Sequence, residues 1–411
     1  MLVPSPYYQR HTCQVTLAGQ DIQLVYKAGL PNGCEITPPQ QLLSEYAQLD
    51  DRARVLLISN NPGALAVVLA KYINGGGLWF TSDNYLAVQM TDQTLTANDI
   101  HNAHIVPPAW GELPKTIQQQ MIHLDRLDRQ SDLPIFDSLL IDLPKGRKLA
   151  RRWLAEVSAC LKPGGSVFLA GRNSEGIHSV IKDADELFGK GNLLAYRKGS
   201  RIVHWTNEQR AIQPPDWFSE PGIAPGTWHS FDLQAGGETF TIHSLPGVFS
   251  YDRLDEGTAL LIETLSIPVG GRVLDLGCGY GILGMLAARR GAAKVDLCDA
   301  NLYALASTEA NLSLNAITNA QVYAGDVLDW VTDQRYDLVI SNPPFHSGRE
   351  VDYAVASAFI TGSRQVLKPQ GRLLIVANRF IRYDHLMQET FNNVHILAQT
   401  SKYHVLESIS R

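Results

Sequence analysis

Asn342-Pro343-Pro344-Phe345-His346 is the stretch of this chain best equipped for chemistry. It follows Leu338-Val339-Ile340-Ser341, an apolar, β-prone run that reads as the end of a buried strand. Two prolines stop the strand, because neither has an N–H to give and each holds φ near about −65°. Asn342 precedes a proline and is pushed to extended geometry. The expected product is a rigid elbow at a strand's carboxyl end, which is where open parallel sheets bind ligands. It offers a side-chain amide, carbonyls without local partners and an aromatic face, a set suited to a planar substrate carrying an NH₂ group. Such an amine is a poor nucleophile, since its lone pair is delocalised into the ring. Acceptors outside the ring plane favour a tetrahedral nitrogen; Asn342 Oδ1 and the Pro343 carbonyl are the candidates, with Phe345 stacking on the ring. His346 is a candidate to assist or to pack beside the substrate.

A second constellation lies upstream. Arg272-Val273-Leu274-Asp275-Leu276 reads as a strand, Gly277-Cys278-Gly279-Tyr280-Gly281 as a tight turn, and Ile282 to Arg290 as a helix. A dinucleotide fingerprint requires glycine where Ile282 stands, which disfavours a nicotinamide enzyme. A carboxylate at Asp275 suits a cationic ligand group better than a pyrophosphate. The next strand, Lys294 to Cys298, ends in Asp299, placed to bind two ribose hydroxyls. Gln321 to Ala324 ends at Gly325-Asp326, where Asp326 can accept from an adenine amino group. Asp275, Asp299, Asp326 and Asn342 therefore each close one of four successive strands on one sheet edge. A single aspartate of this kind is usually a turn or helix cap; four beside a glycine turn are read as a ligand edge.

The elements that position these groups occur twice. Arg54-Val55-Leu56-Leu57-Ile58 matches Arg272-Val273-Leu274-Asp275-Leu276, offset by 218 residues. Phe136 to Pro144 matches Tyr336 to Pro344 at offset 200, and Leu161-Lys162-Pro163-Gly164-Gly165 matches Leu367-Lys368-Pro369-Gln370-Gly371 at offset 206. Strands alternating with helices predict a parallel sheet covered on both faces. The copies differ chemically. Asp275, Gly277 and Gly279 correspond to Leu57, Ser59 and Asn61, and Asn342-Pro343-Pro344-Phe345 to Asp142-Leu143-Pro144-Lys145. The first copy is therefore expected to be catalytically silent. Three segments are predicted: a degenerate domain over 1–207, a Pro/Gly-rich linker or docking loop over 208–237, and a catalytic domain over 238–411.

Ahead of the first repeat, Thr12 to Val25 predicts a hairpin and Thr37-Pro38-Pro39 a helix entry. The 411 residues are 45% hydrophobic and 18% charged, the composition of a globular protein with ample core. A net charge of −6 argues against a uniformly basic nucleic-acid coat. It leaves room for local patches. Arg147, Lys148 and Arg151, within Lys145 to Arg152, are candidates for nucleic-acid phosphates, and Arg197-Lys198 with Arg201 form a second basic run. Five scattered cysteines show no metal spacing and are expected as reduced thiols. Neither a signal peptide nor a membrane span is expected.

With the motifs in order, Asp275-x-Gly277-x-Gly279-x-Gly281, Asp299, Asp326 and Asn342-Pro343-Pro344-Phe345 resemble a class I S-adenosylmethionine-dependent methyltransferase acting on an exocyclic amine. Leu245-Pro246-Gly247-Val248-Phe249-Ser250 ahead of the glycine turn resembles the ribosomal RNA guanine-N2 methyltransferases, above all the small-subunit type. That resemblance covers about residues 240–411 closely. It implies two tandem Rossmann-like methyltransferase domains, the first degenerate. It also implies S-adenosylmethionine as cofactor, no metal, and methyl transfer to N2 of one guanine in 16S rRNA. The implied partner is ribosomal RNA or the small subunit, and the protein is expected to be cytoplasmic and monomeric. Catalysis is assigned to Asn342, Pro343, Pro344 and Phe345, and cofactor binding to Asp275, Gly277, Gly279, Gly281, Asp299, Asp326 and Asn342. Phe345, His346, Phe249, Arg147, Lys148 and Arg151 are assigned to the substrate. The elbow alone serves equally for adenine-N6 in DNA or tRNA, 23S guanine-N2 or a protein glutamine amide, and a non-enzymatic assembly factor is a further alternative. The first 50 or so residues match none of these motifs.

Overall fold

The structure, a computed structural model, describes residues 6–30, 32–108, 136–208, 213–344 and 350–411, without the side chains of 350–352. The chain forms two compact units, one of Arg10–Trp228 and one of Met1–Gln9 with His229–Arg411.

In the first unit, β1 (Arg10–Leu17) and β2 (Gln20–Lys27) form an antiparallel hairpin. α1 (Pro38–Tyr46) follows, started by Thr37 in a capping box with Gln40 and by prolines in its first turn. Then come β3 (Arg54–Ile58), α2 (Ala64–Tyr72), β4 (Gly77–Thr81), α3 (Tyr85–Ala97), β5 (Ala103–Ile105), β6 (Phe136–Asp142), α4 (Arg147–Ser158), β7 (Leu161–Arg172), α5 (Ile177–Phe188), β8 (Asn192–Arg197) and β9 (Ser200–Thr206). The sheet order is β5-β4-β3-β6-β7-β9-β8. The first five of these strands are parallel, and β9 runs antiparallel to its neighbours. The central strands β3 and β6 put Val55, Leu56, Leu57, Leu139 and Leu140 in the core, as a sheet covered on both faces requires.

The second unit repeats this plan. Its hairpin is β10 (His229–Ala235) and β11 (Glu238–Ser244). Next come α6 (Glu256–Thr264), β12 (Arg272–Leu276), α7 (Ile282–Arg289), β13 (Lys294–Asp299), α8 (Leu302–Leu314), β14 (Ala320–Ala324) and β15 (Tyr336–Ser341). The unit closes with α9 (Glu350–Val366), β16 (Leu367–Asn378), α10 (Tyr383–Phe391), β17 (His395–Gln399) and β18 (Tyr403–Ile409). Its order, β14-β13-β12-β15-β16-β18-β17, is that of the first sheet strand for strand. In each sheet the chain reverses direction of growth between two central strands, β3 and β6 or β12 and β15, and ligands of open α/β sheets bind outside the carboxyl ends at such a point.

The repeat is longer than the sequence motifs indicate. The hairpin and α1 within residues 10–46 are the counterparts of β10–β11 and α6, so most of the first 50 residues belongs to the duplication. The segment expected as a linker over 208–237 also divides. From His229 it is strand; up to Trp228 it belongs to the first unit, where Arg152 Nη1 donates to the carbonyls of Gly222 (2.7 Å) and Thr227 (3.3 Å). Trp217 Nε1 donates to Glu186 at 2.8 Å there. Cys13 and Cys34 are joined as a disulfide with Cα atoms 6.3 Å apart, a correction to five reduced thiols. The free cysteines are Cys160, Cys278 and Cys298. Among the described residues no helix is long and apolar enough to cross a membrane, and no His/Cys/Asp/Glu group could hold a metal ion.

Candidate active site

The glycine turn after β12 is shaped by backbone conformations that favour glycine. Gly279 and Gly281 have φ of +57° and +89°. A Cβ on Gly281 would meet the Thr308 side chain at 2.9 Å, whereas nothing lies within 4 Å of one on Gly279, so that stretch of backbone is bare. The turn is tied to the end of β13. Gly279 N–H donates to Asp299 Oδ2 at 2.9 Å and Asn301 N–H to Oδ1 at 2.8 Å, while the Thr308 hydroxyl donates to the Gly279 carbonyl at 2.8 Å. Burial pushes the Asp299 carboxyl up, and the Asn301 and Gly279 N–H groups offset part of that.

Asp275, expected to face a cationic group, is anchored by one of its two oxygens. Its side chain is fully buried and Oδ2 accepts from Gly284 N–H at 2.8 Å, which joins the strand to the first turn of α7. Oδ1 has no hydrogen-bond partner. Burial pushes this carboxyl up to about 7, with the Gly284 N–H pulling down and Asp299 adding to the rise. Asp326 is buried as well and accepts from the Tyr7 hydroxyl at 2.6 Å, while the Tyr8 hydroxyl accepts from Leu328 N–H at 3.2 Å. Nothing local in the sequence foretells this contact, which joins residues 319 apart.

The elbow sits one strand away. Ser341 Oγ donates to the Leu276 carbonyl at 2.6 Å and fixes the end of β15 to the end of β12. Asn342 Nδ2 donates to Thr258 Oγ1 at 2.9 Å and to Asp255 Oδ2 at 3.2 Å. Asp255 is the N-cap of α6 and accepts from Thr258 N–H (2.9 Å) and from the Thr258 hydroxyl (3.3 Å). The Thr258 proton therefore points to Asp255, and both partners of Asn342 are acceptors. Only the NH₂ side of the amide fits them, so Oδ1 is the face left over. The Pro343 carbonyl accepts no hydrogen bond among the described residues. Asp255 and Thr258 escaped sequence reading because Asp-x-x-Thr before an apolar helix reads as an ordinary cap. Phe345 and His346, assigned to the substrate, lie outside the described residues.

One loop runs from the end of β13 to the elbow. The Gly247 carbonyl accepts from Asn301 Nδ2 at 2.9 Å, the Arg253 carbonyl from the Tyr280 hydroxyl at 3.1 Å, and the loop ends at Asp255. Phe249 in this loop is 57% exposed, so its ring is not core packing. The arginines of the first unit's basic run are paired with acids. Arg147 pairs bidentately with Asp183 (2.6 and 2.8 Å). Arg151 pairs with Asp183 at 2.9 Å and with Glu220 at 3.3 Å, and Arg152 is buried against Glu156. These arginines fasten α4 to α5 and to the segment before Trp228. Lys148 is exposed.

At the same edge of the first unit, Asp142 Oδ2 accepts from Ser59 Oγ (3.0 Å) and Asn61 Nδ2 (2.6 Å), and Ser82 Oγ donates to Asn60. The edge is filled by its own side chains.

Residues 239–407 match the family model of the methyltransferase small domain, and residues 82–220 that of the methyltransferase small domain N-terminal. A "Ribosomal RNA small subunit methyltransferase C" from Psychromonas ingrahamii is 36% identical over 278 residues, which are 67% of this chain and 76% of that protein. The protein of the same name from Vibrio vulnificus is 35% identical over 283 residues, 68% of this chain and 77% of that one. Among solved structures, the T. thermophilus 16S rRNA N2 methyltransferase for guanosine 1207, in complex with AdoMet and guanosine, superimposes with a TM-score of 0.77 at 26% identity and covers 99% of both chains.

Proposed function

Because the chain belongs to the ribosomal RNA small subunit methyltransferase C family, we propose that its second unit methylates the exocyclic N2 of a guanine in 16S rRNA, with S-adenosylmethionine as donor. The guanine equivalent to position 1207, the target of the T. thermophilus protein, is the position we assign. The observation that carries the reading is the held amide of Asn342. With its NH₂ engaged by Asp255 and Thr258, Oδ1 is set to accept one N–H of the guanine amine, and the Pro343 carbonyl accepts the other. Both bonds draw the nitrogen out of conjugation and free its lone pair for attack. Acceptors fixed before the substrate arrives need no reorganisation, and each is worth about 2–4 kcal/mol of barrier. The amide is too weak a base to keep a proton, so the amine loses its proton to water after transfer. The target base must be unpaired or flipped to reach the elbow, and we assign the exposed ring of Phe249 to cover it.

The residues present fit the donor. Asp299 has a carboxylate at a strand end for ribose hydroxyls, Gly279 leaves bare backbone beside it, and Asp275 Oδ1 is a buried acceptor with no partner. Asp326, held by Tyr7, serves the adenine end. Bound there, S-adenosylmethionine supplies an electrophilic methyl group. All of these groups come from one unit of one chain, which supports a monomer, and a ribosomal substrate supports a cytoplasmic protein. The test is labelled S-adenosylmethionine with naked 16S rRNA, small subunits, large subunits, tRNA and DNA. N2-methylguanosine in 16S rRNA is expected; methyladenine or labelled protein overturns the reading.

A further inference from the structure

The arginines most prominent in the sequence of the first unit are spent on internal ion pairs. Two other cations of that unit, Arg172 and Lys198, have no salt bridge among the described residues, and both line a cavity of about 530 Å³. Its walls are the start of α1 (Pro38, with Ile36 ahead of it), the end of β7 (Arg172 and Asn173), and the β8–β9 turn (Lys198-Gly199). Among the described residues, Glu35 is the one acidic side chain on the wall.

The duplication gives this place a meaning. In the second unit the start of α6 is where Asp255 and Thr258 hold the elbow. The cavity thus lies on the substrate side of the first copy's crevice, while the cofactor side is closed by Ser59, Asn61 and Asp142. Two positions changed in the direction of positive charge. In the second unit the turn residue Lys402 pairs with Glu256 at 2.9 Å. Pro38 stands in the first copy where Glu256 stands in the second, so the acid that meets the turn cation of the second copy is missing here. Arg172 likewise stands where the second copy has Asn378. Arg201 Nε donates to Asn173 Oδ1 at 3.1 Å, which leaves the Asn173 NH₂ for a ligand.

We propose that this cavity is a second RNA site, taking one phosphate-bearing nucleotide of the same RNA substrate. Arg172 and Lys198 meet the phosphate, Pro38 and Ile36 give the ring an apolar wall, and Glu35 accepts from an exocyclic base amine. A 530 Å³ space is within the usual range for a small-ligand pocket. Phosphate contacts of this kind position a nucleic acid without reading its sequence. The first copy has then lost the donor and kept the nucleotide. The inference rests on the RNA methyltransferase reading above.

The test uses the full-length protein, naked 16S rRNA and the double variant Arg172→Gln/Lys198→Gln. The dissociation constant for RNA is expected to rise about tenfold, and the slope of its logarithm against the logarithm of salt to fall by about 0.7–0.9, the loss of one phosphate contact. Donor affinity and kcat at saturating RNA stay unchanged, and Arg172→Lys/Lys198→Arg restores binding. If the double variant does not fold, Lys198→Gln alone, in an exposed turn, is expected to weaken binding about threefold. Unchanged affinity and slope in a folded variant overturn the proposal. So does weaker binding to small subunits with unchanged binding to naked rRNA, which points to a protein contact. A wild-type protein that leaves 16S rRNA unmethylated sinks the functional reading instead, and the binding comparison still stands.

Discussion

The carboxyl edges of the two sheets began as the same site and now do opposite things with their polar groups. In the second unit the edge presents them. Asp299 holds the glycine turn, and Asn342 is gripped from behind so that its oxygen is free. In the first unit the equivalent groups satisfy one another. Ser59 and Asn61, in place of Gly277 and Gly279, reach into the space of a ligand and bond Asp142. Thr37 and Gln40, in place of Asp255 and Thr258, close a capping box on themselves. Ser82 stands where Asp299 does, without its charge. The opposite edge has hardly diverged. Asp137 accepts from Arg54 N–H and from Lys162, and Asp337 accepts from Arg272 N–H (2.7 Å) and from Lys368 (2.7 Å) in the same way. What both copies keep is therefore framework, and what only the second keeps is there for chemistry.

That contrast can be broken at the elbow first. Asn342→Asp imports the residue of the first copy, removes the NH₂ donor and sets a carboxylate against Asp255. A fall in kcat of about a hundredfold or more is expected, with donor affinity within a few-fold of wild type; normal turnover in a labelled-methyl assay would refute the role given to the amide. Asp255→Ala releases the amide without touching substrate. It should lower kcat about tenfold and cost about 1 kcal/mol of stability through the lost cap, and unchanged kcat with that stability loss would reduce Asp255 to a cap.

Smaller effects sharpen the comparison from the silent side. Burial raises the Asp142 carboxyl to about 6, above its range in the unfolded chain. The folded state binds that proton more tightly, so this group's contribution to stability is best below about pH 4 and is lost as pH rises toward 6. Asp142→Asn should stabilise the protein by about 2 kcal/mol at pH 8 and by little at pH 4, with methylation unchanged; urea melts that differ equally at both pH values would contradict this. Tyr7→Phe, which takes the hydroxyl from Asp326, should weaken donor binding about threefold by calorimetry and leave kcat alone. An equal loss in kcat would place Tyr7 elsewhere in the mechanism.

The edge was legible because a parallel sheet delivers every strand's carboxyl end to one side, so residues that close successive strands must be neighbours. The helices, the glycine turn and the elbow follow from local rules for the same reason. What was not legible depends on partners distant in sequence. Tyr7 meets Asp326 across 319 residues. The acids that occupy Arg147 and Arg151 lie at Asp183 and Glu220, so a basic run resembled a free surface. The hairpin and first helix of each copy share a plan with little sequence identity, which hid the true start of the repeat at Arg10. Cys13 and Cys34 are brought together by that same hairpin and the loop after it.

Of the two equivalent edges, only that of the second unit is proposed to bind the donor. Calorimetric titration of the full-length protein with S-adenosylmethionine tests this directly, with Asp299→Ala alongside. One molecule bound per chain, with affinity weakened at least thirtyfold in the variant, is predicted. Two molecules per chain, or one that binds equally well without the Asp299 carboxylate, would contradict it.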